Sequence, residues 1–355
     1  MKISFLARIM LIALLLAGIF SGCAPDMDGP MANTIASGTV NVTEKVNGVA
    51  FVSPSNPIGD AEIGYISNSN AGWIQLIPYA FSRTGEPQVH YNWSSQWWGE
   101  TVEGTRAMIR SAHNQGLKVL IKPHIWVLGQ GWAGDYTLTN EADWEIWEAE
   151  YQAYIMIFAQ LAAEENVEMI AVGTELKKIV QNRADYFGRL ADSVRVKFDG
   201  AVTYAANWDN YEQVQFWDKM DYIGVDAYFP LVEADTPEVD DLITAWKSHK
   251  AMLRNYSKRY QLPVLFLEWG YLSVNNCGWR NWELEANLQN QPLNMQAQTN
   301  CFAAIFQTFW EENWFAGGFV WQWYANHPNA GGINNREHTP QNKPAFSILS
   351  DWYGR

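Results

Sequence analysis

Cysteine is scarce in this chain, at three of 355 residues. That is too few for a fold stapled by disulfides, so a packed apolar core must hold it together. Basic residues are also short: 24 Lys and Arg stand against 38 Asp and Glu, a net charge of −14. Such a balance excludes nucleic acid as a partner and makes anionic lipid headgroups a poor surface. There is no HExxH, no pair of CxxC motifs and no phosphate-binding P-loop, so neither metal nor nucleotide chemistry has support and no cofactor is expected. A GxSxG elbow for a serine hydrolase is missing as well. No GxGxxG follows the first apolar run, which removes the mark of an open dinucleotide-binding sheet. Internal repeats and low-complexity tracts are absent.

What is present begins with a targeting pattern. Lys2 and Arg8 precede an apolar run, Ile9 to Phe20, too short for the roughly 20 residues of a membrane span but suited to a signal segment. Its end, Phe20-Ser21-Gly22-Cys23, resembles a bacterial lipobox. That resemblance implies removal of residues 1–22 and lipidation of Cys23. Residues 23–45 are rich in Pro, Asp, Gly, Asn, Ser and Thr without apolar period, and read as a flexible tether. The protein is then expected in the cell envelope, facing the periplasm or the exterior, held to the membrane only by its lipid, and monomeric.

From Val46 onward the chain alternates short apolar runs with longer amphipathic stretches. The runs are Gly48–Val52, Trp73–Pro78, Lys118–Pro123, Glu168–Gly173, Ala201–Ala206, Tyr222–Val225, Pro263–Leu267 and Gly318–Trp323. Helical patterns cover Glu100–Gln115, Ala142–Glu165, Ala184–Phe198, Asp240–Tyr260 and Gln296–Trp314. Apolar runs bounded by turn residues and separated by helices imply parallel strands with crossovers. Eight of them in one stretch of this length favour a closed α/β barrel, a (β/α)8 TIM barrel over residues 46–355, as a single domain. Three long polar loops, Leu128–Thr139, Ser273–Leu293 and Asn326–Pro344, follow the third, seventh and eighth runs. They fall on the face where such barrels carry their sites.

The polar residues at the run ends are Lys122 and His124 (third), Thr174 and Glu175 (fourth), Asn207 and Trp208 (fifth), Asp226 and Tyr228 (sixth), Glu268 and Trp269 (seventh), and Trp321 (eighth). Two glutamates therefore converge on one rim among aromatics. Cleavage of a glycosidic bond needs such a pair: one acid to protonate the leaving oxygen, one carboxylate to act at the anomeric carbon. The chain also carries 19 Trp, and sugars present flat apolar C–H faces that stack on aromatic rings. Most of these Trp are expected in the core and a few at the ligand. Trp97, Trp98 and Trp132 fit either place, Lys122 is a candidate partner for a barrel carboxylate, and His327 and His338 read as solvated loop residues. Cys277 and Cys301 flank the loop after the seventh run. In an oxidising compartment they would bridge, and otherwise they are two buried thiols.

In these stretches the chain resembles glycoside hydrolase family 113, the β-mannanases of the retaining clan A. The matching segments are Lys118–Trp126 (KVLIKPHIW), Ile170–Leu176 (IAVGTEL), Val202–Trp208 (VTYAANW), Phe216–Pro230 (FWDKMDYIGVDAYFP), Phe266–Tyr271 (FLEWGY) and Thr339–Ala345 (TPQNKPA). The resemblance implies Glu175 as acid/base and Glu268 as nucleophile. Tyr228 would hold Glu268 in line, Trp321 would stack under the sugar at the cleavage point, and His124 and Asn207 would contact hydroxyls or the carboxylates. Thr174 departs from the clan pattern, in which Asn usually precedes the acid/base and binds the sugar 2-hydroxyl. The implied activity is an endo-acting retaining β-1,4-mannanase acting on a β-mannan-type polysaccharide. A β-1,4-glucanase or xylanase of the same clan, or a non-catalytic carbohydrate-binding lipoprotein, are the alternatives.

The lipobox reading has a direct test. Cys23→Ser should move the protein out of the membrane fraction with activity intact. A mature N-terminus that proves to be an unmodified residue other than Cys23 rules the anchor out.

Overall fold

The computed structural model describes residues 40–355. Residues 1–22, Cys23 and most of the expected tether lie outside the described residues. Along the chain come β1 (Val46–Phe51), α1 (Asp60–Gly64), β2 (Trp73–Leu76), β3 (Tyr79–Arg83) and β4 (Glu86–His90). Next are α2 (Val102–Asn114), β5 (Lys118–Ile121), β6 (His124–Leu128), α3 (Glu141–Glu164), β7 (Met169–Thr174), α4 (Lys177–Asn182) and α5 (Ala184–Arg195). The rest are β8 (Ala201–Asn207), β9 (Ile223–Asp226), α6 (Val239–Tyr260), β10 (Val264–Trp269), α7 (Asn281–Glu285), α8 (Met295–Phe309), β11 (Phe315–Trp323) and α9 (Ala345–Tyr353).

Eight of the strands close into a parallel barrel, in the order β1-β11-β10-β9-β8-β7-β5-β2. Each expected apolar run contributes one barrel strand. The strands form because their short aliphatic runs are buried on both faces, which only a sheet covered inside and out provides. Inward-facing residues, among them Ala50, Leu120, Met169, Leu265 and Phe319, make a separate core inside the barrel. Outward-facing residues such as Val49, Val119, Ile170 and Phe266 pack beneath the helices. Helix starts are capped by side-chain oxygens: Thr101 accepts from Gly104 N at 3.1 Å, Asn140 from Asp143 N at 2.9 Å and Asn294 from Ala297 N at 2.9 Å. Each cap satisfies a backbone donor that the helix itself leaves open.

Three details differ from the sequence pattern. The helical pattern read through to Trp314, but α8 stops at Phe309 and β11 begins at Phe315. A compact turn, not helix, carries the intervening apolar residues. Cys277 and Cys301 do meet, both buried, but as free thiols with Sγ atoms 3.9 Å apart, van der Waals contact well beyond the roughly 2.05 Å of a bond. The third difference is a second sheet of three strands, in the order β4-β3-β6. It arises because Pro78 and Pro123 each end a barrel strand, having no N–H for the ladder. Both chains resume beyond the break and pair with each other in parallel, Tyr79 opposite His124 and Phe81 opposite Trp126. Ala80, Val89, Ile125 and Val127 point inward, leaving Phe81, Trp126 and Leu128 on the outer face. This side sheet stands at the C-terminal rim of the barrel, beside the ends of β2 and β5.

Candidate active site

The centre of the rim is built on a buried lysine. Lys122 is fully excluded from solvent. Its ammonium donates to Glu268 Oε1 at 2.6 Å and to both Asp226 oxygens at 3.0 and 3.1 Å. Burial alone would push the lysine down, but the two carboxylates outweigh it and hold its pKa above the ordinary value. Asp226, wholly buried, is driven well above the usual carboxylate range by burial and by the charge of Glu268. The other oxygen of Glu268, Oε2, accepts from Tyr228 OH at 2.8 Å. Donors thus meet both oxygens of the Glu268 carboxylate, which fixes its orientation. His124 Nε2 lies 3.7 Å from Glu268 Oε1. Burial and the nearby Lys122 charge keep this imidazole well below its usual pKa, so it is neutral and makes no ion pair. The same nitrogen is buried and has no hydrogen-bond partner among the described residues.

Glu175 sits in a contrasting environment. Its backbone is left-handed, with φ of 52°, a conformation uncommon outside glycine and asparagine and concentrated at functional positions. Three hydrogen bonds hold it there: Glu175 N to Ala205 O at 2.8 Å, Lys177 N to Glu175 O at 2.9 Å and Leu176 N to Tyr204 OH at 2.9 Å. Trp132 Nε1 donates to Glu175 Oε2 at 2.6 Å. Burial first, then the charge of Glu268, raise the Glu175 carboxyl to about 7. Trp132 comes from the long loop after the side-sheet strand β6. The loop is tied down by Lys178 to Asp135 at 2.9 Å, and Gly134 lets it fold tightly, since a Cβ there would meet the Trp132 ring at 2.4 Å.

These groups open onto one cleft of about 610 Å³. Among the sequence candidates, His124, Thr174, Glu175, Asn207, Trp208, Tyr228, Glu268 and Trp321 line it, with Lys122 beneath. Thr174 spends its hydroxyl on Pro123 O at 3.2 Å, and Asn207 Oδ1 accepts from Trp208 N at 2.7 Å. Trp269 does not belong to the cleft. Side chains alternate along a strand, so with Glu268 facing the mouth Trp269 faces out. Its ring packs on Phe302 and Phe306, with centroids 5.0 and 5.3 Å away. His338 is buried at 4% exposure, not solvated: it packs edge-on to Tyr228 at 6.2 Å and backs the Glu268 side of the cleft. His327, half-buried, stacks on Trp323 at 5.4 Å.

Sequence reasoning missed Tyr79, Trp126, Trp282 and Glu285 as cleft walls. Trp282 stacks on Trp208, with centroids 5.6 Å apart and planes 26° apart. Among the described residues four carboxylates line the cleft, Glu175, Asp209, Glu268 and Glu285, and no lysine or arginine does. The arrangement suits a neutral, hydroxyl-rich, apolar-faced ligand and repels an anionic one. Among the described residues no group of His, Cys, Asp and Glu is placed to hold a metal ion, and no helix is long and apolar enough to cross a membrane.

A family model, Glycoside Hydrolase Family 113, matches residues 55–343. Among solved structures, the family 113 β-mannanase of Alicyclobacillus acidocaldarius is similar at 23% identity and a TM-score of 0.75, over 88% of this chain and 97% of that one. A second family 113 β-1,4-mannanase is similar at 21% identity and 0.74, over 88% and 99%. A β-glucuronidase of Faecalibacterium prausnitzii is more distant, at 14% identity and 0.57, over 88% of this chain and 49% of that one. No curated protein matches the chain.

Two measurements probe this electrostatic frame. Lys122→Met leaves two buried carboxylates facing each other without a cation, which should cost about 3–5 kcal/mol in denaturant unfolding. A loss under about 1 kcal/mol would show that Lys122 is not what balances them. The second concerns pH. Glu175 is raised from an ordinary 4.5 to about 7, so the folded state holds its proton more tightly than the unfolded chain. Its contribution is complete below about 4.5 and is lost as pH rises through about 7. Relative to Glu175→Gln, the unaltered protein should lose stability across that window. Parallel stability curves would refute the raised pKa.

Proposed function

The chain belongs to glycoside hydrolase family 113, and on that premise we propose that it is an endo-acting, retaining β-1,4-mannanase with Glu175 as acid/base and Glu268 as nucleophile. That it is a glycoside hydrolase follows from the family; the substrate and the residue roles are our reading. One observation carries the roles: two carboxylates share one cleft in opposite electrostatic settings. Glu268 is held by an ammonium and a phenol, the setting of an anion aimed at an anomeric carbon. Glu175 keeps a proton to about pH 7, the setting of an acid.

In the first step Glu268 attacks the anomeric carbon and the glycosidic bond breaks. The Glu175 proton goes to the departing oxygen, leaving a glycosyl ester on Glu268. Forming the ester removes the charge of Glu268, one of the causes that raise Glu175. Glu175 is then a carboxylate able to take a proton from water, which attacks the anomeric carbon, breaks its bond to Glu268 and regenerates the pair. Trp321 forms the apolar floor under the sugar being cleaved. The carboxylate-rich polar lining, with no lysine or arginine among the described residues that form it, supports a neutral polysaccharide over a uronic acid. The mannan assignment rests on the names of the structural neighbours. The Cys23 anchor would place the cleft outside the cytoplasmic membrane.

The roles are separable with azide. Glu268→Ala should lose turnover on every substrate, and azide entering the vacated face should give an α-glycosyl azide. Glu175→Ala should still release a good aryl leaving group in a burst, then stall for want of a base. Azide should restore it as the β-glycosyl azide. Opposite anomers would swap the roles, and near-normal polysaccharide hydrolysis by both variants would place the catalytic pair elsewhere. A panel of mannan, glucomannan, xylan and cellulose decides the sugar: fastest release from xylan or cellulose overturns the mannanase reading.

A further inference from the structure

Five tryptophans are substantially exposed: Trp93, Trp97, Trp126, Trp132 and Trp282. Exposed indoles are costly and here they are not scattered. Trp126, Trp132 and Trp282 line the catalytic cleft. Trp126 also enters a neighbouring hollow of about 340 Å³ with Trp97, and this hollow shares Tyr79, Trp126 and Trp321 with the cleft. Beyond it, Phe81 and Leu128 continue into a third hollow of about 780 Å³ that holds Trp93. Trp93 packs edge-on against Phe81 with centroids 4.8 Å apart. The exposed indoles therefore trace a path from the catalytic pair over the outer face of the side sheet.

The middle hollow also carries a carboxylate. Glu100 lines it, half-buried. Burial raises its pKa, and only the Gln96 amide works against that; no cation compensates among the described residues. An uncompensated carboxylate among aromatic walls is an acceptor set for ligand hydroxyls.

Barrel order tells which part of a ligand would lie here. The hollow is built on the ends of β1, β2 and β11, the first, second and eighth barrel strands. Glu175 follows the fourth, opposite the eighth around the ring. Trp208, after the fifth, is next to Glu175 in strand order. The leaving group must lie by the acid. The rest of the chain must run the other way, past Trp321.

We propose that the outer face of the side sheet is a polysaccharide-binding platform on the glycone side, taking neutral β-linked hexopyranose units beyond the one being cleaved. Trp97 and Trp126 stack on their apolar faces, and Glu100 accepts from their hydroxyls. This rests on Glu175 being the acid, and it gives a physical basis for cutting within a chain.

The test uses β-1,4-manno-oligosaccharides from disaccharide to hexasaccharide, with a parallel cello-oligosaccharide series. The enzyme is unaltered, Trp97→Ala or Glu100→Gln. For the unaltered enzyme, kcat/KM should climb with chain length. Trp97→Ala should lower it roughly tenfold on the hexasaccharide, mostly through KM, and by less than about twofold on an aryl glycoside that reaches only the cleft. Glu100→Gln should give a smaller loss of the same kind. Cleavage of a reducing-end-labelled hexasaccharide should shift toward the non-reducing end, because fewer units are held on the glycone side. Equal losses on short and long substrates, an unchanged length dependence, or a shift toward the reducing end would each overturn the platform. Turnover of the gluco series alone would sink the mannanase reading while leaving the platform in place. Should neither series react, calorimetric binding of the hexasaccharides decides: equal affinity for the unaltered enzyme and Trp97→Ala, including none for either, overturns the platform, and weaker binding by Trp97→Ala supports it.

Discussion

One ammonium facing two carboxylates governs the mouth of this barrel. Lys122 rises from the end of β5 and meets Asp226 from β9 and Glu268 from β10, so three strands are joined by charge as well as by ladder. In a medium from which water is excluded, none of the three groups could keep its charge alone. The rest of the site follows from that constraint. Glu268 is held in place, its charge is directed at Glu175, and burial together with the Lys122 charge keeps His124 neutral. The lysine never needs to reach a ligand to shape the chemistry above it.

The barrel and the glutamate pair were legible because each rests on a local signal. Eight short aliphatic runs at crossover spacing can hardly be arranged otherwise, and Glu175 and Glu268 each follow such a run directly. What was not legible depends on long-range placement. Trp132 bonds Glu175 from a residue separation of 43, and nothing in its loop distinguishes an indole that meets a carboxylate from one that packs locally. The side sheet was hidden because β3 and β6 follow barrel strands across single prolines, and each reads as the tail of the run before it. Trp269 was misplaced since adjacency to Glu268 in sequence means the opposite face in a strand. His338 looked solvated from its polar loop, but the loop folds back so that Gln298 bonds the His338 carbonyl at 3.0 Å and the ring is enclosed.

The aromatic excess divides by position along the barrel axis. Trp147, Trp217, Trp246 and Trp323 are fully buried and fill the wide layer between strands and helices, where few other side chains have the volume. Around the C-terminal rim the same residue type remains open to solvent. One composition thus serves two ends: it stabilises the shell that holds the barrel round, and it supplies flat apolar surface where a chain of sugars would lie.

The proline breaks at Pro78 and Pro123 act as a seam. On one side the strands are locked in the barrel's register, where a slip of one residue would turn every side chain to the wrong face. On the other, the hairpin of β3 and β4 and the strand β6 keep their own register and touch the barrel mainly through their inward face. Insertions, deletions or exchanges toward the tip of that hairpin, away from Tyr79 at the cleft, can therefore be absorbed without disturbing the carboxylates. The rim carboxylates are fixed by their charges while the outer part of the side sheet is open to remodelling, which makes it the natural place to graft a new reach onto an unchanged barrel.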